Sequence, residues 1–406
     1  MSLANTSAQY GAVAKTFHWL TAFGILAVIP LGIIANDMPY DTAEQLADKA
    51  WLFSLHKTIG VTLFFVAVLR ILWALSQPKP APLHTDRKIE SLMAEIVHWL
   101  LYGSLVLVPL SGWIHHAATE GFAPIWWPFG QNLPLVPESV TLSETTAGLH
   151  IVFERVLIVS LVLHIAGAIK HAVIDKDQTL ARMLPGRRAS TVASLRPQRG
   201  WMPPVVAIFV WAAAIGLGSM AGVYTKDGAV ISSAPALEQV ESEWAVIDGT
   251  LGITVQQMGA NVRGSFADWT ADISFDETVK NGVAGSVDVR IAITSLTLGS
   301  VTQQAMGPDY FASGDFPTAR FTAEIENTAE GYVALGVLNL RGVDVPVTLA
   351  FDLTLDNDTA RMQGSTRLDR RSFDIGSGMT DEGQLAFDVL VGIELTAQRD
   401  LDRPSG

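Results

Sequence analysis

Apolar residues fall into five long runs along the first 224 positions, and alternate with polar ones along much of the rest. The runs are Thr16 to Ala35, Leu52 to Leu75, Val97 to Ala117, Leu149 to Val173 and Pro204 to Tyr224. Each has about the 20 apolar residues that a helix needs to cross a bilayer. Trp19, Trp51, Trp113, Trp126, Trp127 and Trp201 lie near the span ends, as in an aromatic belt. Past the fifth run the period changes from 3.6 to 2. Val287, Val289, Ile291 and Ile293 alternate with Ser286, Asp288, Arg290 and Thr294. Phe321, Ala323 and Ile325 alternate with Arg320, Thr322, Glu324 and Glu326. Val345, Val347, Leu349, Phe351, Leu353 and Leu355 form the longest such series, and Phe387, Val389, Val391, Ile393 and Leu395 the last. Turn residues such as Asp356-Asn357-Asp358 and Gly376-Ser377-Gly378 punctuate them. Strands with one apolar face predict an antiparallel sheet closed into a sandwich or barrel. A barrel of about eight strands can hold one small ligand inside.

The connections between the spans carry unequal charge. Lys176, Arg182, Arg187, Arg188, Arg196 and Arg199 crowd the 175–200 connection, and Lys79, Arg87 and Lys88 the 77–96 connection. The 118–148 connection has no Lys or Arg, and 36–51 has Lys49 alone. The positive-inside rule then places the N-terminus inside and the 36–51 and 118–148 loops outside. Five spans carry the C-terminal half outside. The first span is long and lacks a small-residue cleavage pattern, so no cleaved signal peptide is expected.

Composition divides the chain at the same place. Residues 1–224 hold 15 Lys+Arg and 13 Asp+Glu, leaving 12 and 27 for residues 225–406, a balance of −15. All 9 histidines lie at or before His171. The chain has no cysteine, which removes disulfides, iron–sulfur ligation, thiol chemistry and covalent haem attachment. An acidic domain without basic clusters argues against nucleic acid as a partner. The second half shows no catalytic constellation: without His or Cys the commonest acid–base and nucleophilic arrangements are absent.

Within the first half, His150 and His164 lie 14 residues apart in an almost wholly apolar stretch. On a helix they share nearly one face, roughly 21 Å apart along the axis. Ionisable groups inside a membrane helix point to function. His18 enters the first span from the inner side and His56 enters the second from the outer side. The pairs matched in depth are His18 with His164 and His56 with His150. Two histidines at one depth on different helices can clamp one iron in a helical bundle. With both axial positions filled, such an iron suits electron transfer rather than oxygen binding. For the other histidines the ordinary alternatives are a solvated His84, interfacial or quinone- or propionate-contacting His98 and His171, and an adjacent His115-His116 that cannot share a face. Lys57 and Arg155 near the outer pair, and Lys15 and Arg70 near inner helix ends, are either interfacial or partners of haem propionates.

The motifs Phe17-His18-Trp19-Leu20, Leu55-His56-Lys57-Thr58-Ile59-Gly60, Leu149-His150 and Leu163-His164-Ile165-Ala166-Gly167-Ala168 resemble the bacterial cytochrome b561 family. The tail Lys176-Asp177-Gln178-Thr179-Leu180-Ala181-Arg182-Met183-Leu184-Pro185 resembles it too, so the likeness spans residues 10–188. It implies two haem b groups between four helices, with His18, His56, His150 and His164 as axial ligands. It also implies an oxidoreductase role, if the chain is an enzyme. Some members oxidise superoxide and pass electrons to ubiquinone, and others take electrons from partner dehydrogenases. The superoxide-oxidising type draws its anion with positive charge near the outer haem. Here the 118–148 loop has Glu120, Glu138 and Glu144, leaving Lys57 and Arg155 as the attractors.

Residues from about 241 to 397 resemble the YceI family of periplasmic lipocalin-like proteins. The likeness is carried by Trp244-Ala245-Val246-Ile247-Asp248, Val262-Arg263-Gly264-Ser265-Phe266, Phe316-Pro317-Thr318-Ala319-Arg320-Phe321, Leu340-Arg341-Gly342-Val343, Pro346-Val347-Thr348-Leu349 and Asp369-Arg370-Arg371-Ser372-Phe373. It implies an elongated barrel holding a polyprenol or a ubiquinone tail. The expected architecture is therefore multidomain: an all-α transmembrane four-helix haem bundle over 1–188, a basic linker with a fifth membrane helix over 189–235, and an all-β antiparallel lipocalin-like barrel over 236–400. The expected setting is a bacterial inner membrane, with the N-terminus cytoplasmic and the barrel periplasmic. The expected function is electron transfer between a periplasmic-side donor and the quinone pool, with a barrel that binds an isoprenoid quinone or lipid. The alternative is an isoprenoid-binding or sensing protein with a redox-active membrane anchor.

Overall fold

A computed structural model describes residues 2–6, 9–40, 42–81, 83, 87–119, 121, 123–186, 200–224, 237, 242–329 and 331–399. His84, Glu120, Arg187, Arg188, Arg196 and Arg199 lie outside these residues, as do the domain limits expected at 188–189, 235–236 and 400. The chain divides into two compact units.

Among the described residues, the first unit holds five helices long and apolar enough to cross a membrane. They are α1 (Ala12–Asp37), α2 (Ala43–Ser76), α3 (Lys88–Ala117), α4 (Val140–Lys170) and, after the short α5 (Thr179–Met183), α6 (Met202–Met220). Each of the first four outruns its apolar stretch. α2 starts at Ala43, inside the segment expected to be an acidic connection. Thr42 and Gln45 account for this. The Gln45 N–H donates to Thr42 Oγ1 and the Thr42 N–H to Gln45 Oε1, both at 3.3 Å. That reciprocal capping box sets the helix start, and the Ala, Leu, Glu and Gln residues that follow sustain it. α4 starts at a Ser139 cap whose Oγ accepts from the Leu142 N–H, and it ends in one π-helical turn, His171–Asp175.

The centre of the bundle is a cluster of Ile25, Leu63, Ala67, Leu105 and Leu157, drawn from all of α1 to α4. Three of these residues stand seven positions after His18, His56 and His150, and Leu157 also stands seven before His164. Seven residues are close to two helical turns, so the same face carries histidine and core residue in each helix. The apolar core thus lies between the two histidine levels. α6 packs outside, where Ala207 joins Ile96 and Leu100 of α3. Gly103 of α3 admits the Trp211 ring: a Cβ there would lie 2.7 Å from it.

Among the described residues, the second unit holds ten strands in one antiparallel sheet, with segments Pro39–Asp48 and Glu120–Pro124 grouped with it. The strands are β1 (Trp244–Gln257), β2 (Ala260–Phe266), β3 (Trp269–Phe275), β4 (Gly282–Ala292), β5 (Leu296–Leu298), β6 (Thr318–Thr328), β7 (Gly331–Leu340), β8 (Val343–Asp356), β9 (Thr359–Asp369) and β10 (Leu385–Arg399). Their spatial order is β3-β4-β6-β7-β8-β9-β10-β1-β2-β5. The sheet curls into a half-barrel around its apolar face, and its two end strands are not paired with each other. A corner bridges them instead: the Ala267 N–H donates to the Ser295 carbonyl at 3.2 Å and the Ala292 N–H to the Asp268 carbonyl at 3.0 Å. Ile293, expected in a strand, opens the tight turn Ile293–Ser295 at this corner. Along β6, Phe321, Ala323 and Ile325 are buried while Arg320, Thr322 and Glu324 are exposed, as period 2 requires.

Candidate functional site

The two levels of the bundle each bring two histidines face to face. His18 of α1 and His164 of α4 have ring centres 6.2 Å apart, and His56 of α2 and His150 of α4 have ring centres 6.4 Å apart. A metal bound by two opposed imidazoles, at about 2 Å from each nitrogen, places ring centres roughly 6 Å apart. Both spacings fit bis-imidazole ligation.

The level of His56 and His150 is held by two matching devices. His56 Nδ1 donates to the Val28 carbonyl of α1 at 2.9 Å, and His150 Nδ1 donates to the Val108 carbonyl of α3 at 2.8 Å. Four residues beyond each carbonyl stands a glycine. A Cβ on Gly32 would lie 2.7 Å from His56 Cε1, and one on Gly112 would lie 2.9 Å from His150 Cε1. Any larger residue would push the ring away. A proline sits inside each segment as well, Pro30 and Pro109. An imidazole that donates through Nδ1 keeps its lone pair on Nε2, the form that binds a metal. The donor set, its spacing and its glycine cradles fit a planar iron cofactor.

The level of His18 and His164 is built differently. Arg70 of α2 reaches this level, with Nη2 3.4 Å from His18 Nδ1, and its guanidinium also covers the Tyr102 ring at 5.3 Å. His98 joins the level, its ring centre 5.2 Å from that of His164, while its Nδ1 donates to the Ala94 carbonyl of its own helix at 2.6 Å. That third histidine was expected only as an interfacial, quinone- or propionate-contacting residue.

The other cations take separate places. Lys57 is buried in α2 beside His56. Lys15 is buried and donates through Nζ to the Leu184 carbonyl at 2.9 Å, tying α1 to the segment after α5. Trp19 Nε1 does the same to the Met183 carbonyl at 2.8 Å. Arg155 stands on the outer side of α4, 69% exposed and 3.5 Å from Glu154. Its five-residue offset from His150 turns it to a different face. His115 Nδ1 lies 2.8 Å from the Ser143 carbonyl and holds α3 to α4. His171 belongs to an ionic cluster: its Nδ1 is 2.6 Å from Asp177, and Lys170 Nζ bridges Glu90 and Asp175 at 2.7 Å each. The ammonium already occupies the space between the carboxylates of the metal-like group Glu90, His171 and Asp175.

Comparison with known proteins bears on the same residues. The profile of prokaryotic cytochrome b561 matches residues 9–186. Cytochrome b561 homolog 2 of Escherichia coli K12 is 31% identical over 185 residues, which cover 45% of this chain and 95% of that protein. The chain belongs to the prokaryotic cytochrome b561 family. Cytochromes b561 carry b-type haem and transfer electrons, and this one is a membrane protein with five apolar helices. The probable superoxide oxidase CybB of Yersinia pestis is 26% identical over 182 residues, 44% of this chain and 98% of that protein. The second half of this cytochrome b561 is a YceI-like domain, matched over residues 243–397. The crystal structure of Burkholderia cenocepacia BcnA is 26% identical, covering 37% of this chain and 96% of that one with a TM-score of 0.35.

Proposed function

We propose that this cytochrome b561 carries electrons across the inner membrane between an outer donor and the quinone pool, through two haems. The axial ligands are His18 with His164 and His56 with His150. The observation that carries the reading is the pair of imidazole spacings, 6.2 and 6.4 Å, at two levels separated by an apolar core. A b-type haem held at each level by its two histidines would supply a one-electron carrier suited to electron transfer. The chain does the rest. The Val28 and Val108 carbonyls fix tautomer and ring orientation, Gly32 and Gly112 make room, and the Ile25, Leu63, Leu105 and Leu157 side chains exclude water between the levels. Arg70 is placed to neutralise a propionate at the His18 level, and Lys57 at the His56 level. Lys15 and Arg155 are engaged with Leu184 and Glu154 and are the weaker propionate partners.

Lysine and arginine in the connections support an inside N-terminus, and five spans then set the YceI-like half outside. On this reading the His56–His150 level faces the donor. The name of the Yersinia pestis relative suggests superoxide as that donor. Each superoxide would give up one electron to become dioxygen, and two electrons with two protons would convert ubiquinone to ubiquinol. A partner dehydrogenase is the other source of electrons. The barrel, lined by apolar side chains, would bind an isoprenoid quinone or related lipid. A pyridine haemochrome assay is expected to give two haems b per chain. His56→Ala and His18→Ala are each expected to lose one. One haem or none in the unmutated protein would overturn the proposal.

A further inference from the structure

The cavity inside the curled sheet is mostly apolar. Leu251, Val289, Phe321, Leu349 and Ile393 line both this cavity and a second one, so the two adjoin along the channel inside the curled sheet. The far compartment is walled by Trp244, Phe275, Phe351 and other apolar side chains. The polar lining residues Gln257, Gln304, Tyr310 and Arg370 gather near the start of β10, whereas Thr366 lies midway along β9 opposite Val391. Gln257 is 6% exposed, and its Oε1 is buried without a hydrogen-bond partner. A buried amide oxygen left unpaired is costly, on the order of 1–3 kcal/mol, and asks for a donor. Tyr310 lines the same cavity, and its Oη accepts from Gln304 Nε2 at 3.1 Å, which leaves its own proton free to donate. Burial pushes the Tyr310 hydroxyl above its ordinary pKa, so that proton stays in place.

Arg370, the charged residue of the lining, has no capacity to spare. Its guanidinium donates to the backbone carbonyls of Ala386, Ile375, Gly376, Met379 and Leu385. Five donors meet five acceptors, so the side chain pins the chain after β9 to the start of β10. Among the described lining residues an anionic headgroup would find no cation with a donor to spare, and burying a charge unpaired costs far more than burying a hydroxyl.

We propose that this end of the channel reads a neutral hydroxyl on an isoprenoid chain, with Gln257 Oε1 accepting its proton and Tyr310 Oη donating to its oxygen. Anionic phosphate and diphosphate headgroups are rejected. The inference rests on the reading of the barrel as an isoprenoid site and names the headgroup that site selects. Two lipids carry such a hydroxyl, a polyprenol and a prenylated hydroquinone.

The test uses the full chain in detergent, with radiolabelled geranylgeraniol and geranylgeranyl diphosphate in equilibrium dialysis. The alcohol is expected to bind at least tenfold more tightly than the diphosphate, and Gln257→Leu and Tyr310→Phe to lower alcohol affinity severalfold with circular dichroism unchanged. Competition under anaerobic reduction then separates the sources. Displacement by a prenylated hydroquinone at lower concentration than by unlabelled alcohol identifies the quinol, and the reverse order identifies the polyprenol. Equal displacement by the oxidised quinone, which has no hydroxyl, would overturn the role of Gln257. Diphosphate binding as tight as the alcohol would overturn the headgroup inference while leaving the isoprenoid site standing. Binding of neither lipid would overturn the isoprenoid site itself.

Discussion

At the scale of single residues, the imidazole nitrogens distinguish the two levels. His56 and His150 both donate through Nδ1 to backbone carbonyls, at 2.9 and 2.8 Å. A carbonyl acceptor makes an imidazole a more basic ligand and favours the oxidised iron. Both levels have a cation nearby, Lys57 and Arg70, and Arg70 stands against a ligand's own nitrogen, 3.4 Å from His18 Nδ1, where positive charge favours the reduced iron. The His56–His150 level is therefore expected to have the lower reduction potential, so electrons run downhill from it to the His18–His164 level. A spectroelectrochemical titration should resolve two potentials, and the haem remaining in His56→Ala should titrate at the higher one. If it titrates at the lower, the direction is reversed. The glycines give a second prediction. Gly32→Ala or Gly112→Ala places a methyl carbon less than 3 Å from a ligand ring, so each should lose the haem of that level and keep the other, read as a halved haemochrome signal. Gly216 of α6, outside the four-helix bundle, where a Cβ meets nothing within 4 Å, is the control. There, alanine should keep both haems and stabilise α6 by up to about 1 kcal/mol, because glycine is a poor helix former.

At the scale of elements, part of the structure is written in side chains and part is not. The histidine levels are legible because His150 and His164 are spaced for one face of α4, His18 and His56 match them in depth, and the apolar residues seven positions away repeat that face. Arg155 was equally open to helical geometry, since five residues from His150 is a different side of α4. The Val28 and Val108 carbonyls have no such signature, because every residue has a carbonyl and only packing shows which one is used. The ten strands divide in the same way. β6 and β8 alternate cleanly, whereas β9 puts Gly364 and Thr366 on the inner face, which blurs the period. Thr42 and Gln45 carried a readable helix start before α2. Thr42→Ala is expected to cost about 1 kcal/mol of local stability, measured as faster hydrogen exchange in the first turn of α2. The turn after β9 gives a pH-dependent case. Asp369 caps it by accepting from the Arg371 N–H and pairs with the Arg371 guanidinium at 2.6 Å, which holds its carboxyl below the ordinary carboxylate range. A carboxyl whose folded pKa is depressed contributes stability above its unfolded pKa and loses it as pH falls through the folded value. The thermal midpoint of the YceI-like half should thus fall with acidification below the ordinary carboxylate range, and Asp369→Asn should lower it at neutral pH while flattening that fall.

At the scale of the whole molecule, charge decides which donors approach well. The chain carries a formal net charge of −13, and residues 225–406 alone contribute −15. The 118–148 connection, expected on the donor side, has no lysine or arginine to offset this. Of the two cations nearest the His56–His150 level, Lys57 is buried and Arg155 is 3.5 Å from Glu154. A field of one sign changes encounter rates with charged reactants, and salt screens it over a Debye length of about 10 Å at 0.1 M. A small cationic reductant should therefore reduce the haems faster at low ionic strength than at physiological salt, and an anionic reductant of similar potential should do the reverse. Stopped-flow reduction of the full chain across that salt range measures both slopes. Superoxide is an anion, so its slope separates two arrangements of the same charges. A rate that rises with added salt means that the acidic half governs its approach. A rate that falls would show that Lys57 and Arg155 form a local positive path strong enough to outweigh the net charge, which would contradict the prediction and favour superoxide as the donor.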